Sequence, residues 1–99
     1  MMGTKMKKAT KWDVSEYLAT EEDMAAYLNA ALEDGDTSVI ATALGDIARA
    51  KGMTQLAKET GITRDGLYKA LSPTGNPSFD TVQKVIKAFG LKLDVALSA

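Results

Sequence analysis

The chain has 99 residues, 45% of them hydrophobic and 25% charged, with a formal net charge of −1, which is the composition of a globular protein with one core and length for one domain. It contains no Cys and no His, so a thiol nucleophile, an imidazole base and a zinc site of the usual nitrogen and sulfur ligands are all absent from its chemistry, and neither an enzyme nor a cofactor is expected. No apolar run approaches the ~20 residues that span a bilayer and the N-terminus has no signal-like stretch, so no membrane partner is expected and the expected location is cytoplasmic.

The first eleven residues, MMGTKMKKATK, are polar and basic without periodicity and read as a flexible arm ahead of a single domain spanning 12–99. Trp12, Val14, Tyr17 and Leu18 then offer a short amphipathic stretch of undetermined type. Thr20 followed by Glu21, Glu22 and Asp23 is a helix N-cap with acids in the first turn, where carboxylates meet the positive end of the helix dipole. Met24, Tyr27, Leu28, Ala31 and Leu32 recur at helical spacing, and Gly35 supplies the stop. Asp36 caps a second helix with one broad apolar face, Val39, Ile40, Ala43, Leu44, Ile47 and Ala48, ending at Gly52.

A third, shorter helix covers about Thr54 to Thr60 and stops at Gly61, and Thr63 caps a fourth from Arg64 to Leu71. The segment SPTGNPS, residues 72–78, holds both prolines and reads as a loop. Ser78 caps a fifth helix in which Phe79, Val82, Val85, Ile86 and Phe89 face inward and which Gly90 closes. Leu91, Leu93, Val95 and Leu97 then alternate with Lys92, Asp94 and Ala96, a strand pattern. The expected fold is therefore all-α, with about five helices and a short C-terminal strand.

Residues 1–36 hold four Lys against eight Asp and Glu, whereas 37–99 hold eight Lys and Arg against five acids. This asymmetry is compatible with one basic and one polyanionic partner, and equally with ordinary solvated helix faces. Two features resemble enzyme sites only in part. Glu33, Asp34 and Asp36 around Gly35 lack the remaining ligands of a calcium loop and are explained by helix capping. Gly45 and Gly52 lie in or at the end of a helical pattern, which is not a phosphate-binding loop.

The run from Leu56 to Leu71 carries more information. Two short helices joined by a three- or four-residue turn need a small residue where they cross, a glycine able to take positive φ, and an apolar anchor after it; Ala57, Gly61 and Ile62 fill those places. Leu67 and Leu71 point to the core. Arg64 with Tyr68, and Asp65 with Lys69, are each four residues apart on the opposite face, within reach of base edges if the fourth helix enters a major groove. The alternative is an ordinary helical hairpin in which Asp65 and Lys69 form an ion pair worth about 0.3 kcal/mol. Gly66 inside the helix costs about 1 kcal/mol relative to Ala and is compatible with close approach to DNA. Arg49 and Lys51 read as cations complementing a helix C-terminus.

The span Thr54 to Phe89 resembles the helix-turn-helix of the xenobiotic-response-element type, related to Cro and lambda repressor, through the pattern LAxxxGITxxxL at Leu56–Leu67. It departs from that pattern in lacking a lead-in between Thr54-Gln55 and Leu56-Ala57. Over nearly the whole chain, WDVSEYL, AYLNAALEDGD and ALGDIARAKGMTQLAKETGITRDGLYKALSPTGNPSFDTVQKVIKAFGLKL look like the addiction-module antidote family of HigA-like antitoxins. That resemblance implies a lambda-repressor-like domain with an N-terminal helical extension. It also implies a bacterial, nucleoid-associated protein that neutralises a RelE/ParE-like (HigB-type) toxin and represses its own operon. Position by position it makes Thr63, Arg64, Asp65, Tyr68 and Lys69 contacts to double-stranded operator DNA, with Thr54 and Gln55 as further contacts and the loop residues Thr74, Gly75 and Asn76 placed for phosphate. Arg64 is the strongest choice, since a guanidinium binds guanine O6 and N7 together.

The acids Glu21, Glu22 and Asp23 are the candidate toxin-binding residues, because an RNA-binding toxin is expected to be basic. A homodimer is expected at least partly through Leu91, Leu93, Val95 and Leu97, since a lone strand leaves its backbone groups unpaired until a second copy meets them; the alternative partner is the stretch Trp12 to Leu18 of the same chain. Two readings remain beside this one: a helix-turn-helix regulator without a toxin, and a toxin-binding module that has lost DNA binding.

Overall fold

The computed structural model describes residues 17–98, and the expected basic arm and most of the Trp12–Leu18 stretch lie outside that range. Five helices follow in order: α1 (Glu21–Asp34), α2 (Thr37–Lys51), α3 (Met53–Thr60), α4 (Arg64–Ala70) and α5 (Phe79–Ala88). Their ends follow from local chemistry. Thr20 forms a capping box, its hydroxyl accepting from the Asp23 amide at 3.1 Å while the Asp23 carboxylate accepts from the Thr20 amide at 3.3 Å. Asp36, Thr63 and Ser78 accept from Ser38, Gly66 and Thr81 amides at the starts of α2, α4 and α5. These side chains satisfy amides that a helix N-terminus otherwise leaves unpaired.

Gly52 ends α2 and starts α3 with φ +111, so the two helices meet with no linker. The third helix thus begins at Met53, one residue before the expected Thr54, and buries that methionine. At the end of α5 the Gly90 amide donates to Lys87 O at 3.0 Å and the Leu91 amide to Ile86 O at 3.1 Å, with Gly90 at φ +83. This paired C-terminal motif brings Leu91 back over Ile86, and both belong to the core or pack on it.

One hydrophobic cluster runs through all five helices, from Leu18, Met24 and Leu28 through Leu44, Ile47 and Leu56 to Leu67, Val85 and Phe89. Helix α1 packs on α2, and α3 lies against α2, α4 and α5. Removing such side chains from water is worth roughly 1.5–3 kcal/mol each. Val39 and Phe79 depart from their expected inward places: they are 40% and 69% exposed. Each lies in the first turn of its helix, where the apolar stripe runs past the elements that cover its later turns. Tyr17 is also exposed, while Leu18 beside it is buried.

Gly45 sits inside α2 with its Cα against the backbone carbonyl of Leu71, and a Cβ there would collide with that oxygen. The close crossing of α2 by the end of α4 therefore requires a glycine.

The expected C-terminal strand does not form: residues 91–98 have no regular structure, and no strand exists among the described residues. A strand is made by hydrogen bonds to a neighbouring strand, and the described chain offers none, so alternation alone gives no ladder. The four alternating residues also separate. Leu91 and Leu93 pack on the core, whereas Val95 and Leu97 are 94% and 100% exposed.

Candidate functional site

Helices α3 and α4 are joined by Gly61, Ile62 and Thr63. Gly61 takes φ +76 and its amide donates to Ala57 O at 2.9 Å, the left-handed geometry that a residue with a Cβ adopts only with strain. Thr60 steadies the turn, its hydroxyl donating to Leu56 O at 2.8 Å and accepting from the Ile62 amide at 3.2 Å. Leu56 and Leu67 anchor the two helices in the core with no exposed surface. The opposite face of α4 is thereby fixed outward.

On that face Thr63, Arg64, Asp65 and Tyr68 line one shallow depression, and Lys69 follows them, also exposed. The Arg64 guanidinium lies 6.0 Å from the centroid of the Tyr68 ring, at the outer range of a cation–π contact, which limits the directions in which the arginine extends. Asp65 and Lys69 do not form the ion pair of the ordinary-hairpin alternative. Among the described residues the ion pairs are Arg49–Asp46 and Lys84–Asp80, so neither Arg64 nor Lys69 is paired there. Thr63 is partly committed, since its hydroxyl accepts from the Gly66 amide at 3.0 Å.

Thr54 and Gln55 lie exposed in the first turn of α3, and the Gln55 amide group donates to Glu59 at 2.9 Å. The loop residues Thr74 and Asn76 are exposed, but the Gly75 amide donates to Ser72 O at 2.9 Å. It is occupied within the loop and so does not present a donor to phosphate. A Cβ on Gly75 would strike the Ala70 and Lys69 carbonyls, so this glycine closes the loop onto α4. Gly66 likewise has a local cause: a Cβ there would lie 3.1 Å from Thr63 Oγ1 and 3.2 Å from an Ile62 methyl.

The acidic candidates lie at the start of α1, away from α4 in the chain, and two of them have internal roles. Asp23 completes the capping box, and a Cβ on Gly90 would come within 2.5 Å of Glu21 Oε2, placing that carboxylate over the end of α5. All three acids are exposed, and Glu22 is the one without such a contact.

Spacing along the chain gives no sign of a polar network between α1 and α2. The Tyr27 hydroxyl donates to Asp46 at 2.5 Å, and Arg49 donates to the same carboxylate at 2.6 Å. Burial, reinforced by the bond to Asp46, pushes the Tyr27 hydroxyl up to about 12. Arg49 stands in the last turn of α2, as does Lys51, and is in addition the ion-pair partner of Asp46. Tyr27 and Asp46 are 19 residues apart, and helical periodicity relates only residues on one helix.

Fold and site together define a small all-helical protein that holds two short helices on a shared core and turns the polar, cation-bearing face of the second one outward. A family model described as "probable addiction module antidote protein" matches residues 8–97. A relative from Haemophilus influenzae, described as "Uncharacterized protein", is 53% identical over 87 residues, which is 88% of this chain and 90% of the relative. No solved structure matches the chain. The protein belongs to the addiction-module antidote family, and that membership implies a toxin partner in general. No helix among the described residues is long and apolar enough to cross a membrane.

Proposed function

We propose that this protein is a non-enzymatic, DNA-binding antitoxin of a type II toxin-antitoxin module, which neutralises a RelE/ParE-like (HigB-type) toxin and represses its own operon in the bacterial cytoplasm, at the nucleoid. The observation that carries the antitoxin part is the match to an antidote family over residues 8–97. DNA binding is supported by the outward face of α4, where Arg64 and Lys69 have no ion-pair partner among the described residues and stand beside Thr63 and Tyr68.

In this reading α3, the turn and α4 act as a helix-turn-helix. Arg64 reads guanine in the major groove, Tyr68 restrains the guanidinium, and Thr63, Asp65 and Lys69 contact neighbouring bases or phosphates. Thr54 and Gln55 at the start of α3, with Thr74 and Asn76 in the loop, hold the backbone. Two copies paired through the exposed Val95 and Leu97 would set two such helices about 34–36 Å apart, in successive major grooves of a palindromic site. Glu22, with Glu21 and Asp23 beside it, draws the basic toxin toward α1.

An electrophoretic shift of the protein's own promoter, run with and without the protein encoded beside it, tests both halves. A specific shift together with a stable complex supports the reading. No shift at any protein concentration removes the repressor half, and no complex removes the antitoxin half.

A further inference from the structure

On the outer seam of the α1–α2 hairpin, Tyr27, Ala30, Asp34, Val39, Thr42 and Ala43 line an open groove of about 410 Å³. Ala31 and Ala43 at its base belong to the buried core, whereas Val39 is 40% exposed and Ala30 beside it is exposed as well. The two helices that form the groove lie in an acidic stretch of the chain, and one of its acids, Asp34, lines the groove. Residues 17–48 contain seven Asp or Glu and no Lys or Arg, and the first cation beyond them, Arg49, is bound to Asp46.

We propose that this groove is where the toxin docks, through a segment with small apolar side chains flanked by Lys or Arg. The proposal rests on the antitoxin reading and specifies the surface that reading uses. An apolar floor with an acidic wall suits such a segment: the aliphatic part fills the seam between Val39 and Ala30 while a flanking cation meets Asp34. The floor is firm, because Tyr27 is held by its bond to Asp46 across the two helices. The groove belongs to α1 and α2, whereas the polar face proposed for DNA belongs to α4, so both partners can be held at once.

The test uses the full-length chain and the protein encoded beside its gene, purified separately and mixed. Val39→Asp places a carboxylate on the apolar floor, and Asp34→Lys reverses the wall. Both positions are exposed, so circular dichroism should match the wild type. Each variant should weaken the complex at least about tenfold while promoter binding stays at the wild-type level. Hydrogen exchange should slow in α1 and α2 when the complex forms.

Wild-type affinity in both variants overturns the proposal while leaving the antitoxin reading intact. Failure of the wild-type chain to form any complex overturns the reading and the proposal together. The proposal is also overturned if the groove is occupied without the toxin. That would appear as a sedimenting dimer lost in Val39→Asp, or as exchange in α1 and α2 that accelerates when residues 1–11 are removed.

Discussion

Two glycines lie in helix interiors, Gly45 in α2 and Gly66 in α4, and on propensity alone replacing either with alanine should stabilise the protein by about 1 kcal/mol. The structure separates them. At Gly45 the new Cβ would fall on the Leu71 carbonyl oxygen, far inside the ~3.5 Å of ordinary contact. Both partners are backbone, so no side chain can turn away, and the end of α4 has to move off α2. Overpacking of this kind costs roughly 1–3 kcal/mol, and the displaced α4 also carries Leu67 and Leu71, both buried. After the propensity gain of about 1 kcal/mol is subtracted, Gly45→Ala should destabilise by up to about 2 kcal/mol, toward the upper end because two backbones are forced apart. For a domain of this size about 2 kcal/mol lowers Tm by roughly 8–16 °C.

At Gly66 the nearest atoms are a hydroxyl and a methyl at 3.1 and 3.2 Å, and both can give by a few tenths of an ångström. The gain and the disturbed Thr63 cap, itself worth about 1 kcal/mol, nearly cancel. Thermal and urea unfolding of the two variants, followed by circular dichroism, should put Gly45→Ala clearly below the wild type and Gly66→Ala beside it. A Gly45→Ala variant as stable as the wild type would refute the close crossing of α2 and α4.

Arg64→Ala or Lys69→Ala should weaken operator binding while leaving unfolding unchanged; a lost bidentate base contact costs about 1–3 kcal/mol, and equal affinity at one fixed salt concentration would remove the α4 face as the reader. Tyr27 has a folded-state pKa raised to about 12 from an ordinary value near 10, so the stability it contributes is complete below pH ~10 and is lost as pH rises through 12. Tyr27→Phe should cost about 1 kcal/mol at neutral pH and remove both this alkaline loss and the phenolate step near pH 12 in an ultraviolet titration. Replacing Val95 and Leu97 with Lys should yield monomers in sedimentation, with operator affinity reduced far more than toxin affinity; an unchanged dimer would exclude the C-terminal segment as the interface. Glu22→Lys should slow toxin association at low salt and have little effect at high salt, where the charge is screened; an equal rate at low salt would remove electrostatic encounter at α1.

Every helix was legible in the sequence because its signals are local. Thr20, Asp36, Thr63 and Ser78 each reach an amide two or three residues ahead, and Gly35, Gly61 and Gly90 reverse the chain within one turn. The face formed by Thr63, Arg64, Asp65 and Tyr68 was legible for the same reason, since all four positions lie in the first turns of one helix and Leu67 and Leu71 fix which side is buried.

What the tertiary structure alone decided is non-local. Which turns of an apolar stripe are covered depends on the neighbouring elements, so Val39 and Phe79 read as core and stand in solvent. Gly45 is needed by a carbonyl 26 positions along the chain, and Tyr27 is tied to a carboxylate on the next helix. The C-terminal alternation has the period of a strand, but a strand's hydrogen bonds are made to another segment rather than to itself. A helix pairs its backbone within four residues and can be read from one sequence, whereas residues 91–98 need a partner in space that the described chain does not supply.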